Sequence, residues 1–142
     1  HVLDCATGTG DLAIAFKRKV GEAGHVVGTD FCAEMLALAP EKSKAQNLKI
    51  DFELGDVLAL KYADNTFDIT SIAYGIRNVA NVAQALKEMA RVTKSGGRVM
   101  ILETGDIENP VLRTGIRFYF EHVVPRLGGW VSGKPEAYEY LQ

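Results

Sequence analysis

The residues best suited to chemistry lie near the start of the chain, in the run DCATGTGD at residues 4–11. This run follows a short apolar segment and precedes a helical pattern. Because glycine has no Cβ, a glycine-rich turn between a strand and a helix lets the backbone approach a ligand closely. Asp30 follows the next apolar run, where a carboxylate can accept hydrogen bonds from both hydroxyls of a ribose. The pattern therefore predicts a nucleotide site that uses Gly8, Gly10 and Asp30.

The charges around the loop bear on which nucleotide it binds. The segment GTGDLA formally satisfies the GxGxxA pattern of dinucleotide-binding folds. However, a pyrophosphate binds the free backbone donors at a helix start, where it would meet the carboxylates of Asp4 and Asp11. S-adenosylmethionine (AdoMet) carries adenosine without phosphate, and its sulfonium and ammonium groups are cations. The acidic residues therefore favour AdoMet, and NAD(P) with an oxidoreductase function is the alternative.

Strand-like and helix-like segments alternate around this loop. Apolar runs predict strands at residues 1–5, 25–29, 49–54, 67–73 and 98–103, and helical spacing predicts helices at 11–19, 33–46 and 81–94. Pro40 must end, kink or restart the second helix. Asn81 and Gln84 predict a reciprocal N-cap for the third helix, and Gly96-Gly97 its exit. The alternation predicts an α/β fold, with a doubly wound, mostly parallel sheet and helices on both faces.

Composition narrows the class of protein. The chain has 142 residues, of which 47% are hydrophobic and 24% charged, and this composition predicts one domain over residues 1–142. A net charge of −2 argues against a nucleic-acid partner. Cys5 and Cys32 lack metal-type spacing, so we expect free thiols, no metal and a cytoplasmic location. The chain opens directly on a strand without methionine, and we expect a piece of a longer protein, truncated at both ends.

Five motifs together resemble the ubiquinone/menaquinone biosynthesis C-methyltransferase family. In chain order they are VLDCATGTGD, VVGTDFCAEML, GD after the third strand, NTFDITSIAYGIRNV and RVTKSGGRVMILETG. The nucleotide half is shared by many class I methyltransferases, whereas GIRNV and RVTKSGG…LET are more particular. The chain departs from the family at Ser95, usually proline, and at Gly105, usually serine. It also lacks the family's amino-terminal motif with tyrosine and histidine.

The resemblance implies a Rossmann-like class I methyltransferase with AdoMet as co-substrate. Thr9, with the backbone of Gly8 and Gly10, would line the methionine portion, and Asp30 would hold the ribose. Asp56 and Val57 would meet the adenine. Simpler roles are open for the carboxylates, since Asp30 could cap the following helix and Asp56 could stabilise a turn. Asp4 could bind loop amides rather than ligand.

The resemblance also implies the acceptor, a ring carbon of a polyprenylated benzoquinol or naphthoquinol. Methyl transfer is a direct displacement that needs alignment more than an enzyme nucleophile. Arg77, at the exit of the fourth strand, would stabilise the acceptor phenolate, and Asn78 would assist by hydrogen bonding. The alternative is that Arg77 only binds carbonyl groups of its own loop.

Three further side chains are predicted to reach the substrate pocket, namely Tyr74, Glu103 and His122. Residues 106–142 are expected to cover the substrate side, or simply a face of the sheet. A prenylated acceptor predicts peripheral contact with the inner membrane face, and a homodimer or a biosynthetic complex is an expected assembly. Lys42 and Lys44 are predicted to lie on a solvated helix face. Two further functional alternatives are methylation of another small molecule and a noncatalytic AdoMet-fold subunit.

Overall fold

The computed structural model describes residues 1–105, 114 and 119. Contacts divide the chain into two compact units, His1–Thr104 and Gly105–Gln142, and the first unit carries the features described below. His122 and the predicted cover at residues 106–142 lie outside the described residues, apart from Thr114 and Tyr119. The prediction of one domain over the whole chain stays a prediction.

The first unit is built from strands and helices in alternation. Its strands are β1 Val2–Cys5, β2 Val26–Asp30, β3 Asp51–Leu54, β4 Phe67–Ala73 and β5 Thr93–Leu102. Its α-helices are α1 Asp11–Val20, α2 Ala33–Leu36, α3 Ala39–Lys44 and α4 Val82–Val92, and a 3₁₀ helix spans Ile76–Asn78. The strands pair in parallel in the order β3-β2-β1-β4-β5.

The order of the strands places a ligand site at one edge of the sheet. The chain moves outward from β1 to β3 and then returns to β4, so that β1 pairs with both β2 and β4. In open α/β sheets, ligands bind beyond the carboxyl ends of the strands at such a reversal. Cys5, at the end of β1, lies beside Thr29 of β2 and Ile72 of β4. The glycine loop, Asp30 and the exit of β4 therefore share this edge.

Apolar side chains of β1 point alternately to the two faces of the sheet, and a helix covers each face. Leu3 packs in a cluster with Met89 and Val92, the latter two from α4. Val2 packs on the other face, with Ala13 of α1. The predicted doubly wound architecture is confirmed.

Of three local predictions, one is confirmed and two differ from the structure. The segment at residues 33–46 forms two helices, one of the outcomes predicted for Pro40, which sits in the first turn of α3, where its missing N–H costs no hydrogen bond. Gly96-Gly97 lies inside β5 rather than at a helix exit. There the register between β4 and β5 shifts, and Gly96 has a φ of +80°. Asn81 does cap α4 by accepting from the Gln84 amide, but the Gln84 side chain donates to the Leu58 carbonyl instead of closing the reciprocal pair.

Candidate functional site

The glycine loop runs from the end of β1 into α1 through three residues with positive φ, namely Ala6, Gly8 and Gly10. Gly10 has a φ of +83° and directly precedes α1. A Cβ added there would lie 2.8 Å from the Ala39 Cβ and 2.9 Å from the Phe52 ring. Conformation and packing therefore both require glycine at this position.

Asp4 supports the loop from beneath. Its side chain is buried, and its two carboxylate oxygens accept hydrogen bonds from the hydroxyls of Thr7 and Ser71, both at 2.7 Å. Burial, with a smaller contribution from the nearby Asp30 charge, raises the pKa of Asp4 to about 6. Asp4 therefore joins the loop to β4 through two hydroxyl groups, not through the loop amides that its alternative role predicted, and any direct contact with ligand stays a prediction.

Asp30 links the loop to the segment that precedes α2. One carboxylate oxygen accepts from the Gly8 amide at 2.7 Å and the other from the Cys32 amide at 2.9 Å. Each oxygen keeps a second lone pair for a ligand hydroxyl. The Cys32 amide belongs to the residue before α2, so Asp30 holds the approach to that helix rather than capping its first turn, and its remaining lone pairs leave the ribose-binding prediction open. Phe31 follows directly, and its side chain is 73% exposed.

Asp56 and Val57 lie just beyond β3, close to Asp30. The Gly55 amide donates to the Asp30 carbonyl at 2.9 Å, which ties the two strand ends together. Asp56 is exposed and accepts from the Leu58 amide at 2.9 Å, whereas the Val57 side chain is buried in the core. A cavity of about 210 Å³ opens beside Asp56, lined partly by Thr29 and Leu54.

Lys42 joins the site, although the sequence placed it on a solvated helix face. Its ammonium donates to the Thr9 hydroxyl at 2.9 Å and to both Asp11 carboxylate oxygens at 2.7 and 2.9 Å. These bonds lower the pKa of Asp11, whose side chain is 75% exposed. The charge of Asp11 is thus paired with a lysine, which corrects the sequence argument that this residue would repel phosphate.

Arg77 lies in the 3₁₀ helix after β4, at the same edge of the sheet. Its Nη1 donates to Glu103 Oε1 and to the Thr104 hydroxyl, both at 3.3 Å. Among the described residues its hydrogen bonds go to these side chains, not to the carbonyl groups that the simpler alternative predicted. The Thr104 amide, and after it the Arg77 backbone and the Arg77 charge, hold the pKa of Glu103 below its usual range. Glu103 Oε2 has no hydrogen-bond partner among the described residues.

The exit of β4 touches the glycine loop. Tyr74 has a φ of +54°, and its amide donates to the Leu102 carbonyl at 2.8 Å. A Cβ on Gly75 would lie 2.6 Å from the Ala6 Cβ, so the two backbones meet here. Tyr74 and Asn78 are both exposed at this edge. The structure thus brings together the predicted cofactor residues and the predicted catalytic residues.

The sequence analysis missed two residues at this edge, Phe31 and Lys42. An exposed apolar side chain directly after a strand-end carboxylate was a usable signal for Phe31. The signal for Lys42 was weaker, because its partner Asp11 lies 31 positions away. Within the described part of the chain, no cluster of side chains could hold a metal ion, and no helix is long and apolar enough to cross a membrane.

Comparisons with known proteins agree on the family to which this chain belongs. A family model described as the ubiE/COQ5 methyltransferase family matches residues 1–142. The chain is 60% identical over 142 residues to the ubiquinone/menaquinone biosynthesis C-methyltransferase UbiE of Bdellovibrio bacteriovorus, covering 100% of this chain and 60% of that protein. It is 46% identical over 141 residues to the demethylmenaquinone methyltransferase of Deinococcus radiodurans, covering 99% and 58% respectively. The chain thus spans about three fifths of the length of these relatives.

Solved structures show the same fold. A SAM-dependent methyltransferase from Aquifex aeolicus has a TM-score of 0.68 at 26% identity, covering 82% of this chain and 68% of that one. The [4+2]-cyclase SpnF has a TM-score of 0.67 at 28% identity, covering 72% and 38% respectively. The class I methyltransferase fold is therefore confirmed, although the name of the cyclase shows that this fold alone does not define the reaction.

Proposed function

The chain belongs to the ubiE/COQ5 methyltransferase family, and on this premise we propose that its protein transfers a methyl group from AdoMet to a ring carbon of a polyprenylated quinol. Two relatives are named for ubiquinone/menaquinone biosynthesis and for demethylmenaquinone methylation. One observation carries the proposal. The glycine loop, Asp30 and the Arg77–Glu103 pair lie at the carboxyl edge of adjacent parallel strands.

The described residues fit AdoMet at its adenosine end. Asp30 would accept the two ribose hydroxyls through lone pairs that its amide contacts leave free. Phe31 and Leu54 are exposed apolar residues beside it, since Leu54 is the register partner of Asp30. They would pack against the adenine, while Asp56 and the Val57 amide would bind its edge. Gly8 and Gly10 would give the methionine portion close access to the backbone.

The other half of the site would prepare the acceptor. AdoMet supplies the methyl group as an activated sulfonium. A quinol ring carbon becomes nucleophilic as its neighbouring hydroxyl loses a proton, and a phenol of pKa near 10 needs help at neutral pH. Arg77 would stabilise the phenolate, because its guanidinium stays charged and cannot serve as a base. Glu103 would hold Arg77 in place, and Asn78 and Tyr74 would contact the ring.

Substitution of Arg77 tests this assignment. In the full-length protein, Arg77→Gln should leave the Kd for AdoMet within about twofold. Methyl transfer to a demethylquinol should fall at least about 100-fold, as expected on losing a donor to a developing oxyanion. Calorimetry measures the binding, and mass spectrometry of the quinone measures the product. Arg18→Gln, which changes an exposed arginine bonded to Gln46, is the matched control.

Other outcomes would identify other functions. Loss of AdoMet binding in Arg77→Gln would give Arg77 a structural role. Binding of NADH in place of AdoMet would favour the oxidoreductase alternative. AdoMet binding without methylation of benzoquinol or naphthoquinol acceptors would favour another small-molecule substrate or a noncatalytic subunit.

A prenylated acceptor also has a consequence for location. Because the prenyl chain resides in the bilayer, we propose peripheral contact of the full-length protein with the cytoplasmic membrane face. Sedimentation with vesicles that contain the prenylated acceptor tests this contact. Sedimentation equilibrium tests for a homodimer, and co-purification tests for a biosynthetic complex.

A further inference from the structure

Helix α3 holds the glycine loop through a single ammonium group. Lys42 Nζ donates to Thr9 Oγ1 and to both carboxylate oxygens of Asp11, at distances between 2.7 and 2.9 Å. The Thr9 hydroxyl donates to Asp11 Oδ2 at 2.8 Å and closes the ring of contacts. The two residues that flank Gly10 are thus fixed to each other and to α3.

A second contact from the same helix supports this arrangement. Ala39 is fully buried, and its Cβ lies only 2.8 Å from the place where a Cβ on Gly10 would stand. Ala39 and Lys42 are three residues apart, so they lie on the same face of α3. One helix face therefore packs on Gly10 and binds the residues on either side of it.

The loop needs such restraint because of its backbone conformation. Gly8 and Gly10 both have positive φ, and glycine reaches many other conformations at little cost. An exposed ion pair between Lys42 and Asp11 alone would contribute little. Here, however, one ammonium makes several contacts with a short loop, so it selects the loop geometry that a ligand would meet.

We infer that Lys42 is a positioning residue for AdoMet: by holding Thr9 and Asp11 around Gly10, it fixes the part of the loop that binds the methionine portion. This inference rests on the proposed function. The adenosine portion would lie at Asp30 and Asp56, which share no hydrogen bond with Lys42 among the described residues. Loss of Lys42 should therefore weaken binding of the methionine portion and spare the adenosine.

Two ligands allow binding of the methionine portion to be distinguished from binding of the adenosine portion in the full-length protein. S-adenosylhomocysteine carries the amino-acid portion, and 5′-methylthioadenosine lacks it. In Lys42→Gln, we expect the Kd for S-adenosylhomocysteine to rise about tenfold, as for a lost hydrogen-bonded contact to a charged group. The Kd for 5′-methylthioadenosine should stay within about twofold. At saturating AdoMet, kcat should be retained, because Lys42 acts through the loop rather than on the acceptor.

Three further variants act as controls. Lys42→Arg keeps the charge and should restore most of the affinity. Lys44→Gln changes an exposed lysine on the same helix and should have no effect. Asp11→Asn weakens the loop contact without leaving a free carboxylate, so it should also raise the Kd for S-adenosylhomocysteine. In the double variant Lys42→Gln/Asp11→Asn, the loss of binding free energy for S-adenosylhomocysteine should be smaller than the sum of the losses in the two single variants.

The outcomes distinguish this inference from the proposed function. Unchanged S-adenosylhomocysteine binding in Lys42→Gln would overturn the role of Lys42 while the function stands. Equal weakening of both ligands would mean a general structural role and would also overturn it. Tighter binding of S-adenosylhomocysteine in Lys42→Gln would show that the charge of Lys42, rather than its restraint of the loop, controls affinity, and would also overturn the inference. If the unaltered protein binds neither ligand, the proposed function itself fails.

Discussion

Replacing Asp4 by asparagine tests whether the buried carboxylate beneath the glycine loop is hard to ionise. Asp4 is 1% exposed, and the two hydroxyls of Thr7 and Ser71 donate to it. Asparagine has nearly the same shape. It can accept from one hydroxyl and donate to the oxygen of the other. The variant therefore removes the charge while keeping most of the contacts.

The magnitude follows from the pKa. Burial raises the pKa of Asp4 from 3.8 to about 6 in the folded protein, a difference that corresponds to about 3 kcal/mol. Because the folded-state pKa is the higher one, the folded protein binds this proton more tightly than the unfolded chain does. The associated stability is fully present below pH 3.8 and is lost as the pH rises through about 6.

Urea unfolding of both proteins between pH 4.5 and 7.5 measures this effect. As the pH rises from 4.5 to 7.5, the unaltered protein should lose about 2 kcal/mol of stability relative to Asp4→Asn. This loss is the part of the full difference of about 3 kcal/mol that falls within the measured pH range. Subtracting the free energies of unfolding of the two proteins at each pH removes the contribution of all other groups that titrate alike in both.

A difference in stability that stays constant with pH would refute the reasoning, since it would mean that Asp4 ionises equally easily in the folded and unfolded chains. The ¹³C chemical shift of the Asp4 carboxyl gives a direct check and should titrate near pH 6. Ser71→Ala supplies a directional control. It removes a hydrogen bond that lowers the pKa, so the midpoint should move further upward.

Two other substitutions test packing and hydrogen bonding near the site. Gly10→Ala places a Cβ 2.8 Å from the Ala39 Cβ at a φ of +83°. It should lower stability by about 2–4 kcal/mol in urea unfolding, and a loss under about 0.5 kcal/mol, the usual effect of a neutral surface change, would contradict the packing. Arg91 donates to Glu88, to Asp64 and to the Leu60 and Tyr62 carbonyls, so Arg91→Lys, which cannot form all of these bonds, should lower the urea midpoint of unfolding. AdoMet affinity of the folded Arg91→Lys protein should be unchanged, and a large loss would connect this loop to the ligand site.

The fold could be predicted from the sequence because its signals are local. Strand patterns in β1, β2 and β4 and helical spacing in α4 all appear in the structure within a few residues of the expected bounds. The start of β5 could not be predicted in this way. Gly96-Gly97 reads locally as a helix exit, but Thr93 and Arg98 on either side pair with β4, so the two glycines lie at a register shift within β5. Tertiary pairing overrode the local preference there.

The position of a site residue could be predicted only where that residue lies at or just after the end of a single strand. Asp30 and Arg77 follow directly from the ends of β2 and β4, and both lie at the expected edge. The pairing of Arg77 with Glu103 depends on β4 and β5 being neighbours in the sheet. The contact of Lys42 with Asp11 depends on α3 folding back over the loop. The local sequence around each residue of such a pair does not show which distant residue it contacts.

The charge argument for AdoMet over a dinucleotide depends less on Asp11 than the sequence suggested. The exposed Asp11 carboxylate is paired with Lys42, which reduces its repulsion of a phosphate, whereas Asp4, with a pKa of about 6, is still largely ionised at neutral pH. Two amides of the loop are also engaged within the protein. The Gly8 amide donates to Asp30 and the Gly10 amide donates to the Thr7 carbonyl. A pyrophosphate would have to displace the Asp30 carboxylate and the Thr7 carbonyl to bind these two amides, a cost that AdoMet, which carries no phosphate, does not incur.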